Sequence, residues 1–169
     1  MKQILIIGFL VLCVLAGPKK GIGCGTACTV STLSNLNVTW YYNWGATGLA
    51  STSEFIPMAY SVKKIVNVTA GQTYVLGFNE PDYGSSAITP AAAAAAWPDV
   101  VSKAQTIISP ATAKNPSTDS SWLEQFLADP SLPRADKIAV HKYGTRNATS
   151  FKNTIQAIYN KFQKPIWIT

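Results

Sequence analysis

The chain has 169 residues, of which 47% are hydrophobic and 13% charged, and its formal net charge is +6. That is enough apolar sequence for one domain with a substantial core, and it excludes a disordered charged tail. The lysines are scattered, with no Lys/Arg block longer than two, so the charge reads as a solvated surface and not as a nucleic-acid interface.

Lys2 precedes an apolar run from Ile4 to Leu15, broken by Gly8, and Val14-x-Ala16 ends it with a small-residue site. The run is short for a bilayer span. Residues 1–16 are therefore expected to be a secretory signal peptide and 17–169 one partial catalytic domain. The expected product is secreted, extracellular or in a cell wall, and free of the membrane once the leader is gone. Asn37-Val38-Thr39, Asn67-Val68-Thr69 and Asn147-Ala148-Thr149 are glycan acceptor triplets, in keeping with export. Cys24 and Cys28 pair with each other, or one of them pairs elsewhere. With a single histidine and no second cysteine pair, no metal site is expected, and no cofactor is implied.

Lys19–Gly23 reads as a short first strand and 27–36 as a helix. In the aromatic strand 38–44, alternation puts Trp40, Tyr42 and Trp44 on one side and Tyr41 and Asn43 on the other. Residues 54–60 read as a third strand despite Pro57, which offers no ladder donor. A helix over 61–68 leads to the strand Tyr74–Phe78. Thr89-Pro90 opens a helix with proline at its first position, and Pro98 is expected to kink or restart it. A strand at 106–111, a helix at 120–128 and a strand at 137–143 follow. The helix 149–162 has an apolar face of Phe151, Ile155, Ile158, Tyr159 and Phe162, and Ile166–Thr169 begins a seventh strand. Regular alternation of strand and helix favours a parallel sheet. Strand ends rich in Asn, Glu, His and aromatics favour an α/β fold of the (β/α)8 TIM type over a nucleotide-binding open sheet. A complete barrel has eight strands and about 250 residues. The barrel here is incomplete, with seven strands, the last cut short.

The strand Tyr74–Phe78 delivers Asn79, Glu80, Pro81 and Asp82 at its carboxyl end. In such barrels that rim carries the chemistry. Glu80 is the candidate acid/base, able to protonate a glycosidic oxygen, and Asn79 is placed to contact a sugar 2-hydroxyl. Hydrolysis also needs a second carboxylate. Asp82 either supplies it or caps the turn that follows. Trp44 is the best candidate for stacking on a pyranose face, with Tyr42, His141 and Tyr143 as further substrate-binding candidates.

Several stretches resemble glycoside hydrolase family 128, which includes the alkali-sensitive-linkage-protein group. They are Trp40-Tyr41-Tyr42-Asn43-Trp44, Phe55-Ile56-Pro57-Met58, Gly77-Phe78-Asn79-Glu80-Pro81-Asp82, Ser109-Pro110-Ala111, Ala139-Val140-His141-Lys142-Tyr143-Gly144 and Pro165-Ile166-Trp167-Ile168-Thr169. The resemblance implies a secreted retaining endo-β-1,3-glucanase acting on cell-wall glucan. It implies Glu80 as acid/base with Asn79 beside it, and a nucleophilic Glu directly after Thr169. Lys142 stands where the family commonly has an aromatic residue. On this reading the chain is an N-terminal fragment without its nucleophile, inactive by itself, a monomer whose partner is the β-1,3-glucan polysaccharide. Two alternatives are a non-catalytic wall glucan-binding protein and a structural wall protein held by its charge.

Overall fold

The computed structural model describes residues 20–169 apart from 133 and 145; the expected leader, 1–16, lies outside the described residues. Seven short strands are β1 Gly21–Gly23, β2 Trp40–Tyr42, β3 Glu54–Phe55, β4 Gln72–Leu76, β5 Ala104–Ile108, β6 Ile138–Val140 and β7 Ile166–Ile168. The helices are α1 Val30–Asn35, α2 Pro90–Val101, α3 Trp122–Leu127 and α4 Ala148–Phe162. Every pairing is parallel: β1 with β2, β2 with β3, β4 with β5 and β6 with β7. Single bridges, Met58 to Leu76 and Ile108 to Lys137, join these groups into one run in chain order. The run curls. Trp167 on β7 meets Trp40 on β2 at 4.8 Å and Tyr74 on β4 at 5.4 Å between ring centroids. Among the described residues no pairing joins β7 to β1, so the sheet is an open arc of a barrel.

Alternation along the buried strands fills two layers. Val75, Ile107, Ile138 and Val140 face the helices and pack with Ala93, Trp97, Val100, Leu123, Phe126 and Ile158. Leu76, Ile108 and Ala139 face inward with Tyr42, Ile56 and Met58. Trp97 is fully buried and packs edge-on against both Phe78 and Phe126, and its indole N–H donates to the Arg134 carbonyl. Gly77 makes room for it. A Cβ there would lie 2.7 Å from the Trp97 ring, 2.8 Å from the Pro110 nitrogen and 2.9 Å from the Ser109 carbonyl carbon. Two of those three atoms are backbone and cannot rotate away. Gly77→Ala is therefore expected to cost about 3 kcal/mol, read as a lower urea midpoint.

Four local expectations need correction. The third strand keeps regular pairing only over Glu54–Phe55. Pro57 gives its carbonyl to the Leu76 N–H, and the donor it lacks would have faced the same neighbour, so β4 is tied there by a bridge alone. Residues 62–67 form a 3₁₀ helix and not an α-helix; its buried Ile65 and the capping Val68 stand three apart, the spacing that a three-residue turn brings into line. Helix α2 does not restart at Pro98 but is continuous over Pro90–Val101. On α4, Ile158 is buried and Ile155 and Phe162 partly so, while Phe151 and Tyr159 stay exposed. Cys24 and Cys28 pair with each other, their Cα atoms 5.5 Å apart.

Candidate active site

Phe78 is anchored by Trp97, so the chain leaves β4 from a fixed point. Asn79 N–H donates to the Tyr60 carbonyl and Glu80 N–H to the Ala111 carbonyl, at 3.0 and 2.8 Å. Glu80 then turns back with φ of 45°, in the left-handed region that a non-glycine residue enters at a cost. Trp44, just past β2, does the same with φ of 60°. Both reversals leave their side chains at the carboxyl rim.

The Glu80 Oε1 accepts from two donors of the segment after β6. His141 Nδ1 lies 2.8 Å away and the Tyr143 hydroxyl 2.7 Å away, with 3.2 Å between those two donors. His141 is buried, Glu80 half-buried, and the Tyr143 residue largely exposed. Burial pushes the Glu80 carboxyl up, but the Tyr143 and His141 hydrogen bonds and the charge of His141 together outweigh it, and the carboxyl sits below its ordinary range. The Tyr143 phenol is pushed up to about 12, first by desolvation and then by Glu80. Burial also raises the Tyr42 phenol, and Tyr42 acts on Tyr143 electrostatically.

The signs define a pH window. A carboxyl lowered from 4.5 stabilises the fold above 4.5, and that contribution is lost as pH falls through the lower folded value. A phenol raised from 10.0 to about 12 contributes below 10.0 and loses the contribution as pH rises to about 12. Thermal midpoints of wild type and Tyr143→Phe are expected to differ most between these limits. The gap should close in both directions.

Asn79 is nine-tenths buried, and its Oδ1 has no hydrogen-bond partner among the described residues. A buried acceptor left open in a built rim is ready for a hydroxyl donor. Trp44 is 38% exposed and stands edge-on to the buried Tyr42, 4.9 Å between centroids. Gly23 at the end of β1 makes this possible, since a Cβ there would press on Tyr42 Oη at 2.9 Å and on the Trp44 ring at 3.1 Å. Beside Trp44 a cleft of about 200 Å³ is lined by Met58, Tyr60, Lys64 and Asn67.

The structure adds partners to two of the expected groups. Asp82 makes no side-chain hydrogen bond within its own turn among the described residues. Its two oxygens accept from the Ala113 and Lys114 N–H groups, at 2.8 and 3.0 Å, and so pin the loop after β5. His141 and Tyr143, read from the sequence as sugar contacts, bond to Glu80. Sequence reasoning also passed over Ser109, fully buried, whose hydroxyl accepts from Ala139 N–H and donates to the Pro110 carbonyl, filling a gap between β5 and β6. A serine directly before proline at a strand end was the available signal. Among the described residues there is no cluster of His, Cys, Asp and Glu that would hold a metal.

Residues 21–169 match the family described as the glycosyl hydrolase catalytic core. The chain belongs to this family. Alkali-sensitive linkage protein 1 of Schizosaccharomyces pombe is 34% identical over 148 residues, covering 80% of this chain and 27% of that protein. The chain thus spans about a quarter of the curated relative's length. A glycoside hydrolase family 128 endo-β-1,3-glucanase from Amycolatopsis mediterranei, solved as a point mutant with laminaripentaose, superimposes with a TM-score of 0.76 at 25% identity, covering 89% of this chain and 70% of that one. A family 128 oligosaccharide-binding protein from Cryptococcus neoformans gives 0.70 at 27% identity, covering 89% and 65%. The resemblance to family 128 read from the sequence is thereby shown. In the arc of strands β5 lies between β4 and β6, and Glu80 reaches across its carboxyl end to meet His141.

Proposed function

We propose that this chain carries the acid/base part of a secreted, retaining endo-β-1,3-glucanase that acts on cell-wall glucan. The observation that carries the reading is the pair at the end of β4: a gripped carboxyl at Glu80 beside a buried, unpartnered Asn79 Oδ1. Glu80 protonates the departing glycosidic oxygen and later takes a proton from water. Asn79 accepts from a sugar hydroxyl, and Trp44 offers its exposed face to a pyranose ring. A retaining reaction needs a second carboxylate about 5 Å from the first. No other described carboxylate contributes to the charge acting on Glu80. We place the nucleophile on the residue after Thr169. Thr169 N–H donates to the Val140 carbonyl, so continued pairing brings the next residue to the rim beside His141.

A second reading, glucan binding without turnover, is favoured by the low-lying Glu80 carboxyl, which is a poor proton donor in this chain. Titrating the chain with laminaripentaose, followed by tryptophan fluorescence, tests the shared part of both. Saturable binding is expected, weakened about tenfold by Trp44→Ala. A cello-oligosaccharide of equal length is expected to bind more weakly. Equal binding of both sugars, or none of either, would remove the β-1,3-glucan assignment.

A further inference from the structure

We propose that His141 and Tyr143 are positioning residues for Glu80: they hold its Oε1, so that Oε2 is the oxygen that carries the proton to the glycosidic oxygen. The proposal rests on Glu80 being the acid/base. Its grounds are geometric. Both donors converge on one oxygen, at 2.8 and 2.7 Å, and no hydrogen bond among the described residues engages the other. The backbone adds to this. Glu80 is held in a left-handed turn by its own N–H on the Ala111 carbonyl, so the side chain leaves from a fixed base.

The arrangement survives the proton cycle. When Glu80 is a carboxylic acid, its proton sits on Oε2 and Oε1 remains an acceptor for both donors. In the first step the Oε2 proton passes to the glycosidic oxygen, the C–O bonding pair leaves with that oxygen, and the second carboxylate bonds to the sugar carbon. In the second step Oε2 takes a proton from water while the water oxygen displaces that carboxylate. His141 Nδ1 and the Tyr143 hydroxyl keep their protons throughout. This requires a hydrogen on His141 Nδ1. The groups that act on Glu80 are His141 and Tyr143, with Tyr42 acting on Tyr143, and the lowered Glu80 carboxyl agrees with two donors on one oxygen.

The sequence makes the test unusually clean. The chain has one histidine and three glutamates, Glu54, Glu80 and Glu124. Nuclear magnetic resonance on the full chain, labelled with ¹⁵N-histidine and carboxyl-¹³C-glutamate, reads the tautomer and the Glu80 titration with Glu80→Gln as assignment control. Near neutral pH, Nδ1 is expected to be protonated. In Glu80→Gln the amide carbonyl faces the donors, so the same tautomer is expected to persist. A ring without hydrogen on Nδ1 in either protein overturns the proposal. Tyr143→Phe is expected to move the Glu80 midpoint upward. His141→Ala is expected to do the same, and His141→Asn, which returns an N–H near the Nδ1 position, to move it less. Glu124 reports on folding, because its carboxyl is lowered chiefly by the Lys161 hydrogen bond that ties α3 to α4. Where a variant of buried His141 loses that signature, Tyr143→Phe decides, since Tyr143 is 65% exposed. An unmoved Glu80 midpoint with Glu124 intact would overturn the proposal. No glucan enters the measurement, so failure of laminaripentaose binding would sink the functional reading and leave this result readable.

Discussion

Glu80→Gln, placed in a chain extended beyond Thr169 to the length of its solved relatives, is expected to lower laminarin hydrolysis by about a thousandfold or more. Laminaripentaose binding should stay within about threefold. The glutamine keeps the acceptor that His141 and Tyr143 require and removes only the transferable proton. Reducing-end release and calorimetry measure the two quantities separately. The same network makes a further demand. A working acid must hold its proton near the operating pH, yet His141 and Tyr143 push the Glu80 carboxyl down. A like charge close by is what raises such a group. The second carboxylate therefore has two tasks, attack on the sugar and retention of the proton on Glu80. Replacing it with glutamine should stop turnover and also lower the Glu80 titration midpoint, read by carboxyl-¹³C resonance. Full rate in Glu80→Gln would send the search for the acid elsewhere, though not to Asp82, whose oxygens are committed to Ala113 and Lys114.

Trp97→Ala is expected to cost about 4 kcal/mol of stability, a large share of the 5–15 kcal/mol typical of a domain. The ring is fully buried between Phe78 and Phe126, and its N–H satisfies the Arg134 carbonyl. Removal opens a cavity under the strand that ends in Asn79 and Glu80, and leaves one backbone acceptor short. Urea unfolding should show a much lower midpoint with an unchanged slope. A drop below about 1 kcal/mol would mean that the layer between α2, α3 and β4 repacks, and that Phe78 is not seated by Trp97.

Much of the fold was legible because strands and helices carry different periods. The strand cores at 74–76, 106–108 and 138–140 are short apolar runs, and the structure keeps β4, β5 and β6 there. Thr89-Pro90 marked the start of α2, and Thr89 accepts from Ala92 N–H as a cap. The extent of β3 was not legible, because it depends on which neighbour Pro57 faces. Nor was the 3₁₀ helix, since a six-residue segment with β-branched Val62, Ile65 and Val66 satisfies either turn. At the site, Glu80 was readable from the polar cluster that ends a buried strand. The grip of His141 and Tyr143 was not, because 61 and 63 residues of chain separate them from Glu80 and only the parallel arc brings them together. Alternation correctly separated Trp40 and Tyr42 from Tyr41, which packs on Phe55 in another cluster.

Asp82 has a mechanical consequence. Together with the Glu80 N–H on Ala111 and the Asn79–Ala111 bridge, its two backbone bonds latch the turn after β4 to the loop after β5. These hydrogen bonds join the two pieces into one jaw of the rim. The segment after β6 has no such latch among the described residues, and its hold on that jaw runs through the His141 and Tyr143 side chains.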